Sequence, residues 1–263
     1  MNKKVKKILK KKNKTKIVSL TAYSKNIAQI LDKHCDIILV GDSLANVLYG
    51  FKNTHQINLD NIIQHTQSVK KGIKKSMLVV DMPEGTYKNK QQAKKNAKLI
   101  MNLTKCDGVK LENNGKNFNI LKELVKLKIP VMGHIGYTPQ FKKKFRVEGR
   151  TTEEIKKLLK DAILIEKAGA FSIVLECLDP KASEIITKNL EIPTIGIGSS
   201  ANCDGQILVT DDMLGLSGFY PKFVKKYASL NRIIEKAVKN YSRDVKLKKF
   251  PNKKNFLNGT KNK

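Results

Sequence analysis

DIILV at residues 36–40, LDNIIQHTQSVKK at 59–71 and MLVV at 77–80 follow one another in the chain, and together they decide the fold. The two outer segments are short and apolar, as buried strands are, whereas the middle one carries its apolar residues at helical spacing. This stretch therefore predicts a strand, a helix and a second strand.

The same alternation continues on both sides of this stretch. Further strands are predicted at 17–20, 108–111, 131–135, 171–175, 193–197 and 206–209. Further helices are predicted at 25–33, 91–103, 117–127, 152–167, 181–188 and 222–239, and the helix between the last two strands is short or missing. Eight apolar strands that alternate with helices are typical of a parallel sheet covered by helices.

We therefore predict an α/β fold, a single-domain (β/α)8 TIM barrel, which takes roughly 250 residues. The alternative is an open, doubly wound sheet, which would favour a glycine-rich turn after the first strand. Residues 21–23 read TAY and supply no such turn. The barrel catalytic domain is expected at 15–244, and the lysine- and asparagine-rich segments 1–14 and 245–263 are expected to be poorly ordered.

The net charge of +29 would suit a nucleic-acid or anionic-membrane partner. However, the excess is almost all lysine, with only four arginines, and the chain has no tryptophan. Dedicated nucleic-acid sites draw on arginine and aromatic side chains. We interpret the lysines as solvated surface and expect no specific nucleic acid and no membrane partner, with polyanion binding as the alternative.

The four cysteines form no CxxC pair, which favours reduced thiols in the cytoplasm. The basic start of the chain runs into no apolar signal segment, and no stretch approaches the ~18 apolar residues of a membrane span. A cytoplasmic location is therefore expected. His34, His55 and His65 lack partners at ligand spacing, and we interpret them as surface or packing residues.

Ionisable side chains follow five successive predicted strands. In a barrel the residues just past each strand share one mouth, and those residues here are Asp42 with Ser43, Asp81, Lys110 with Glu112, His134, and Glu176. A single acid at such a place is commonly a cap or a turn residue. Five consecutive units that each end in one indicate a functional site.

Three of these side chains, Asp42, Asp81 and Glu112, are carboxylates that cannot all stay ionised and unpaired in one pocket without a large cost. A hard divalent cation would relieve that cost, and oxygen-only ligands favour Mg²⁺ over zinc. A 2-keto acid could chelate such an ion through its carboxylate and ketone oxygens. The metal would then stabilise the enolate that forms when the neighbouring carbon loses its proton.

Loss of that proton requires a base, and Glu176, outside the proposed metal cluster, is the candidate. Lys110 and His134 could hold the substrate carboxylate or the developing oxyanion, while Ser43 could donate a hydrogen bond to it. The sequence therefore predicts carbon–carbon bond formation next to the ketone of a small 2-keto acid.

Taken together, eight segments resemble the 3-methyl-2-oxobutanoate hydroxymethyltransferase family, also called ketopantoate hydroxymethyltransferase. They occur in order between about residues 16 and 232, and they are SLTAY (19–23), LVGDSL (39–44), DMP (81–83), VKLE (109–112), PVMGHIGYTPQ (130–140), VLEC (174–177), IPTIGIG (192–198) and CDGQ (203–206). Any one segment is modest support, whereas the ordered set is highly specific.

The resemblance implies a substrate and a carbon donor that the residues alone could not supply. A hydroxymethyl group from 5,10-methylenetetrahydrofolate would pass to 3-methyl-2-oxobutanoate, giving 2-dehydropantoate on the way to pantothenate and coenzyme A. It also implies one Mg²⁺ per subunit and a homodecamer built as a pentamer of dimers. In this resemblance the magnesium residues are Asp42, Asp81 and Glu112, the substrate contacts are Asp42, Ser43, Asp81, Lys110 and His134, and Glu176 is the proton acceptor.

The chain departs from the family pattern at Ala45, Asn113 and Asn114, where glycines are usual, and at Glu84, where an aromatic residue is common. None of these replaces a proposed catalytic group, but Glu84 could alter the charge near the metal acids. Two alternative functions stay open. One is a magnesium-dependent carbon–carbon lyase or phosphomutase-like barrel, and the other is a catalytically inactive basic binding protein.

Overall fold

Eight parallel strands close into a barrel in the computed structural model, which describes residues 2–115, 117–142, 144–218 and 220–256. Each strand pairs with the next along the chain, and the eighth pairs with the first. The strands are β1 (Ile17–Thr21), β2 (Ile37–Val40), β3 (Met77–Asp81), β4 (Gly108–Lys110), β5 (Val131–Gly136), β6 (Ser172–Glu176), β7 (Thr194–Ile197) and β8 (Gly205–Leu208). The predicted TIM barrel is confirmed, and each predicted strand lies within one residue of the observed bounds.

Helices alternate with the strands around the outside of the barrel. They are α1 (Lys3–Leu9), α2 (Lys25–Leu31), α3 (Leu44–Val47), α4 (Leu59–Lys70), α5 (Lys90–Thr104), α6 (Phe118–Lys126), α7 (Thr152–Lys167), α8 (Pro180–Asn189), α9 (Thr210–Leu214) and α10 (Leu230–Lys246). Two short 3-10 helices lie at Thr54–Gln56 and Lys253–Asn255. β7 is followed directly by a loop and β8, as the sequence predicted. None of the described helices is long and apolar enough to cross a membrane.

Helix α4 illustrates why these segments fold as they do. Asn58 caps its first turn, since its side chain accepts from the Asn61 amide while the Asn61 side chain accepts from the Asn58 amide. The buried residues Ile62, Ile63 and Val69 recur at helical spacing along the inner face. Capping and apolar spacing therefore agree on one helix packed against the sheet.

Apolar side chains fill the inside of the barrel as well as the layer between sheet and helices. The interior cluster includes Ile17, Ile37 and Met77, and each is almost fully buried. The same cluster contains Val5 and Ile8 of α1, so this helix closes the amino-terminal end of the barrel. A closed lower end leaves the carboxyl-terminal mouth as the open side.

The start of the chain therefore differs from the sequence expectation. Residues 1 to 14 were expected to be poorly ordered because lysine dominates them, but from residue 2 onward they are folded against the barrel. Two apolar side chains of α1 enter the core. The Lys4 ammonium also contacts the Ser76 carbonyl at 2.7 Å and the Asp107 carboxylate at 2.9 Å.

The end of the chain differs in another way. The last long helix, predicted at 222–239, begins at Leu230 and continues to Lys246. The tail expected at 245–263 thus begins inside this helix and contains the short helix Lys253–Asn255, while 257–263 lie outside the described residues. Helix α10 buries none of its side chains against the barrel.

A buried ion pair fastens the amino-terminal segment to the lower end of β8. The Lys12 ammonium lies 2.9 Å from the Asp204 carboxylate and 2.7 Å from the Thr187 carbonyl. The same Asp204 oxygen accepts from the Thr194 amide at 2.9 Å. Although burial opposes ionisation, the Thr194 amide and the Lys12 ammonium keep the pKa of Asp204 below its ordinary value.

We predict that Lys12→Met lowers the free energy of unfolding by about 3 kcal/mol, because it leaves a buried carboxylate without its cation. The thermal midpoint at neutral pH should fall by roughly 6–12 °C, measured by circular dichroism. The exposed Lys14→Met is the matched control and should leave the midpoint unchanged.

The same pair should depend on pH in a defined direction. Because the pKa of Asp204 is depressed in the folded chain, its stabilisation is present above the unfolded value of ~3.9 and is lost as pH falls through the folded pKa. The difference between wild type and Lys12→Met should therefore narrow in acid. A difference that stays constant from neutral pH to acid would contradict this account.

Candidate active site

A cavity of about 800 Å³ opens at the carboxyl ends of the strands. All seven residues that the sequence predicted for the site line this one cavity, namely Asp42, Ser43, Asp81, Lys110, Glu112, His134 and Glu176. They arrive from five successive strands, and the structure brings every one of them together.

Strand register sets the height of these side chains. Asp81, Lys110 and Glu176 are the last residues of β3, β4 and β6, and Asp81 is directly paired with Lys110. Gly136 at the end of β5 lies so close to the Glu176 carbonyl that a Cβ atom would be 2.1 Å from that oxygen. Glycine there, with a φ of +97°, lets β5 end against β6 beside the candidate base.

Asp42 and Asp81 lie side by side. The Asp42 backbone amide donates to Asp81 Oδ2 at 3.0 Å, which fixes the Asp81 carboxylate next to the start of the loop that carries Asp42. Lys110 Nζ lies 3.0 Å from the other oxygen, Asp81 Oδ1, but outside the angles of a hydrogen bond. Within the described part of the chain, no hydrogen bond reaches this buried oxygen.

Burial makes two carboxylates of the cavity, Asp42 and Glu112, costly to ionise. Burial and the neighbouring Asp81 charge raise the pKa of Asp42 to about 7, against the opposing effect of Lys110. Burial and the Asp42 charge likewise raise the pKa of Glu112 well above its ordinary value. The acidic side of the cavity therefore gains from any cation that binds to it.

The lysine at the site stays charged. Although burial alone would lower the pKa of Lys110, the Asp81 and Asp42 carboxylates raise it above its ordinary value. Its ammonium is a permanent positive charge within the cavity, at 3.5 Å from His134 Nδ1.

His134 lies between this lysine and Glu176. Burial and the Lys110 charge lower the pKa of His134, so the imidazole is neutral at pH 7. Its Nε2 atom lies 3.2 Å from Glu176 Oε2, outside the angular range of a hydrogen bond. With Nδ1 facing an ammonium, the tautomer protonated at Nε2 is favoured, which puts the protonated nitrogen next to the Glu176 carboxylate.

Three polar residues that sequence reasoning did not assign also belong to the site. The Tyr23 hydroxyl lies 2.8 Å from the Ser43 hydroxyl, while Gln140 hydrogen-bonds Asp42 and Tyr87. All three are buried. The sequence signal for Tyr23 and Gln140 was their position inside two of the motif segments. It did not identify their roles, because a polar residue in a loop does not reveal its hydrogen-bond partner.

The departure at Glu84 has a local explanation. Its carboxylate lies 2.5 Å from His55 Nδ1, and His55 Nε2 lies 3.2 Å from the Pro139 carbonyl at the cavity mouth. His55, interpreted from the sequence as a surface or packing residue, therefore joins two loops beside the cavity. The extra carboxylate is paired with this ring.

The donor set fits a hard divalent cation. Among the described residues, no three histidine, cysteine or acidic side chains stand ready-arranged as metal ligands. Asp81 Oδ1 is nevertheless a buried carboxylate oxygen without a hydrogen bond, and Asp42 and Glu112 are acids whose ionisation is suppressed by burial. Oxygen ligands of this kind suit Mg²⁺.

The same cavity also has an apolar wall, formed by the side chains of Leu39, Val174, Ile197 and Ile207. A ligand with a charged head and a branched aliphatic end could therefore bury both ends in favourable surroundings.

Two relatives are similar along almost the whole chain, and both are named 3-methyl-2-oxobutanoate hydroxymethyltransferase. The protein of Pelagibacter ubique (strain HTCC1062) is 53% identical over 254 residues, which are 97% of this chain and 99% of the relative. That of Bartonella tribocorum (strain CIP 105476 / IBS 506) is 46% identical over 248 residues, which are 93% of this chain and 92% of the relative.

Among solved structures, a phosphonopyruvate hydrolase in complex with oxalate and Mg²⁺ superposes with a TM-score of 0.62. The match covers 92% of this chain and 87% of that chain at 10% identity, which shows a shared fold alone. The sequence pattern of ketopantoate hydroxymethyltransferase matches residues 2–253. With a match of this extent and relatives of about half-identical sequence, the chain belongs to the ketopantoate hydroxymethyltransferase family.

Proposed function

We propose that this enzyme transfers a hydroxymethyl group from 5,10-methylenetetrahydrofolate to C3 of 3-methyl-2-oxobutanoate in the cytoplasm, as a step of pantothenate and coenzyme A synthesis. The methylene carbon and one water supply the new CH₂OH group, C3 loses its proton, and the products are 2-dehydropantoate and tetrahydrofolate. The observation that carries the proposal is that the buried acids Asp42 and Asp81 line the same cavity as Glu176.

The acids on one side of the cavity would hold one Mg²⁺. Asp42 and Asp81 would be the principal ligands and Glu112 their companion, which the oxygen chemistry of all three and the suppressed ionisation of Asp42 and Glu112 support. When bound, Mg²⁺ would polarise the ketone as a Lewis acid and stabilise the charge of the enolate.

Glu176 would accept the C3 proton. It lies at the end of β6, three strands along the barrel from Asp81 at the end of β3, and its side chain is 20% exposed, so it can meet a substrate. The neutral His134 lies beside it, with its Nε2 atom 3.2 Å from Glu176 Oε2. The substrate would thus be held between the Mg²⁺ at the acid cluster and the base Glu176.

Lys110 and Ser43 would contact the keto acid. The permanently charged Lys110 ammonium suits the substrate carboxylate or the developing oxyanion, and the Ser43 hydroxyl, held by Tyr23, can donate a further hydrogen bond. The apolar wall suits the branched alkyl end of the substrate. A small keto acid leaves most of the 800 Å³ cavity free for the folate.

We also propose that the chain assembles into a homodecamer, built as a pentamer of dimers. Support comes from α10, where Ile234, Val238, Tyr241 and Val245 form a stripe on one face of the helix. These side chains are 43–59% exposed in the single chain, and none is buried against the barrel. An apolar helix face of this length favours burial in an interface.

Glu176→Gln should abolish turnover while leaving the ligands bound. The amide keeps the shape of the side chain but cannot accept the proton, so kcat should fall by about 10²–10⁴-fold. Keto-acid affinity, measured by isothermal titration calorimetry with Mg²⁺ present, should stay within a few fold. The exposed Glu191→Gln is the matched control and should keep full activity. Loss of turnover and of keto-acid binding in equal measure would assign Glu176 to binding instead.

Proton exchange tests the enolate without the folate. In D₂O the enzyme should replace the C3 hydrogen of 3-methyl-2-oxobutanoate with deuterium, which collapses the methyl doublet in the proton NMR spectrum. Exchange should require Mg²⁺ and should be lost in Glu176→Gln, because it needs both the cation and the base. Exchange at the same rate after chelation of all divalent ions would contradict the proposed role of the metal.

The assembly should depend on the apolar stripe of α10. The mass of the wild-type assembly, measured by sedimentation equilibrium, should be ten times the 29.6 kDa mass of the chain. The double variant Ile234→Glu and Val238→Glu should fall to smaller species, because charges would be buried in the interface. Lys236→Glu with Arg243→Glu, on the opposite face of the helix, is the control. A monomeric wild type at micromolar concentration would disprove the decamer.

A further inference from the structure

We propose that Gln140 is a positioning residue, which orients the Asp42 and Glu112 carboxylates for the divalent cation. The inference rests on the proposed function in one respect, since it takes those acids as the metal-binding side of the cavity. Gln140 lies on the loop after β5 and is 3% exposed. It would act through its neighbours and not by touching the substrate.

The side-chain amide of Gln140 makes three hydrogen bonds. Its Nε2 atom donates to Asp42 Oδ2 at 2.8 Å and to the Met82 carbonyl at 3.1 Å, and its Oε1 atom accepts from the Tyr87 hydroxyl. Of the two ends of this amide, only the NH₂ group can donate to two acceptors. The orientation of the Gln140 amide is therefore fixed. A carboxylate oxygen of Asp42 is thereby fixed in direction.

The backbone of the same residue holds the second acid. The Gln140 amide N–H donates to Glu112 Oε2 at 3.0 Å. One residue therefore binds one oxygen of Asp42 and one oxygen of Glu112. The other oxygen of each carboxylate is left to turn toward the cavity that both residues line.

Residue chemistry explains why an amide stands here. A glutamate at this position would add another carboxylate to a pocket that already contains the buried acids Asp42, Asp81 and Glu112. A lysine would compete with the cation for the carboxylates. Glutamine donates to Asp42 without changing the net charge, and Tyr87 fixes the direction of that donation from behind.

Tyr87 completes a chain of contacts that reaches away from the cavity. Its ring is 4% exposed, and burial raises the pKa of its hydroxyl, so the proton stays on the oxygen that donates to Gln140. Asp42 is thus held through Gln140 by a group on the loop after β3. Partners of this type set ligand orientation at metal sites, and their loss typically weakens metal binding by about 10–100-fold.

The test is direct measurement of Mn²⁺ binding by electron paramagnetic resonance of the free ion, with full-length protein and no substrates. Gln140→Leu removes the side-chain bonds but keeps the backbone donor to Glu112, so the Kd for Mn²⁺ should rise by about 10–100-fold. The exposed Gln67→Leu is the matched control and should bind as wild type does. Circular dichroism checks that each variant melts cooperatively.

Tyr87→Phe is the milder second variant. It frees the amide to turn without removing it, so the Kd for Mn²⁺ should rise by about 5-fold, the equivalent of one hydrogen bond. The double variant should bind Mn²⁺ no more weakly than Gln140→Leu alone, because Tyr87 acts through the amide. A merely structural role would lower the melting temperature without moving the Mn²⁺ affinity.

Each outcome decides the proposal. Unchanged Mn²⁺ affinity in folded Gln140→Leu, with tight binding by wild type, would overturn this role and leave the proposed function standing. Failure of wild type itself to bind Mn²⁺ would overturn both. If Gln140→Leu does not fold, Tyr87→Phe decides, and wild-type affinity in that variant would overturn the proposal.

Discussion

The structure depends on one electrostatic constraint, the burial of several carboxylates within a single cavity. Like charges at short range in a low-dielectric pocket repel strongly, and each also loses its hydration. The molecule offsets this cost in part with the ammonium of Lys110, which stays charged because acids surround it. The remainder is left as suppressed ionisation of Asp42 and Glu112. A cavity with this excess of negative charge favours a divalent cation. The repulsion among the carboxylates, which is unfavourable in the free protein, is relieved when the cation binds.

The geometry of the barrel brings these charged side chains together. The ends of parallel strands meet at one rim, so five successive strands contribute ionisable side chains to the cavity from at or just past their ends. Rigid strand ends also limit how far the carboxylates can move apart. Where strand ends do not reach, the loop after β5 returns with Gln140 to hold two of the acids. The register of the strands thus places the acids at the rim, and one loop residue, Gln140, then holds two of them in position.

The sequence predicted the barrel and the strand bounds because apolar runs of four or five residues are a strong local signal. It also predicted which residues meet at the mouth, since closure of the barrel brings successive strand ends together. The start of α10 was misplaced for a tertiary reason. The Tyr227 amide donates to the Met213 carbonyl of α9, which holds residues 222–229 out of the helix that their lysines would favour. Likewise, two apolar residues among lysines gave no sign that α1 closes the barrel. Contacts between distant segments decide such features, and local pattern does not contain them.

A buried lysine is paired with a buried aspartate at each end of the barrel. Of the 23 acidic residues, seven are buried, namely Asp32, Asp42, Asp81, Glu112, Glu148, Asp204 and Asp212. Only two lysines of the described chain are buried, and each lies against a buried aspartate. Lys12 meets Asp204 beneath the barrel, and Lys110 meets Asp81 at its mouth. The strongly basic surface therefore does not extend to the interior, where each buried lysine is paired with an aspartate, because burial makes an unpaired charge far more costly inside than on the surface. The excess of lysine lies on the exterior, and the uncompensated negative charge of the interior is greatest at the cavity, where the buried acids Asp42, Asp81 and Glu112 meet one buried lysine, Lys110.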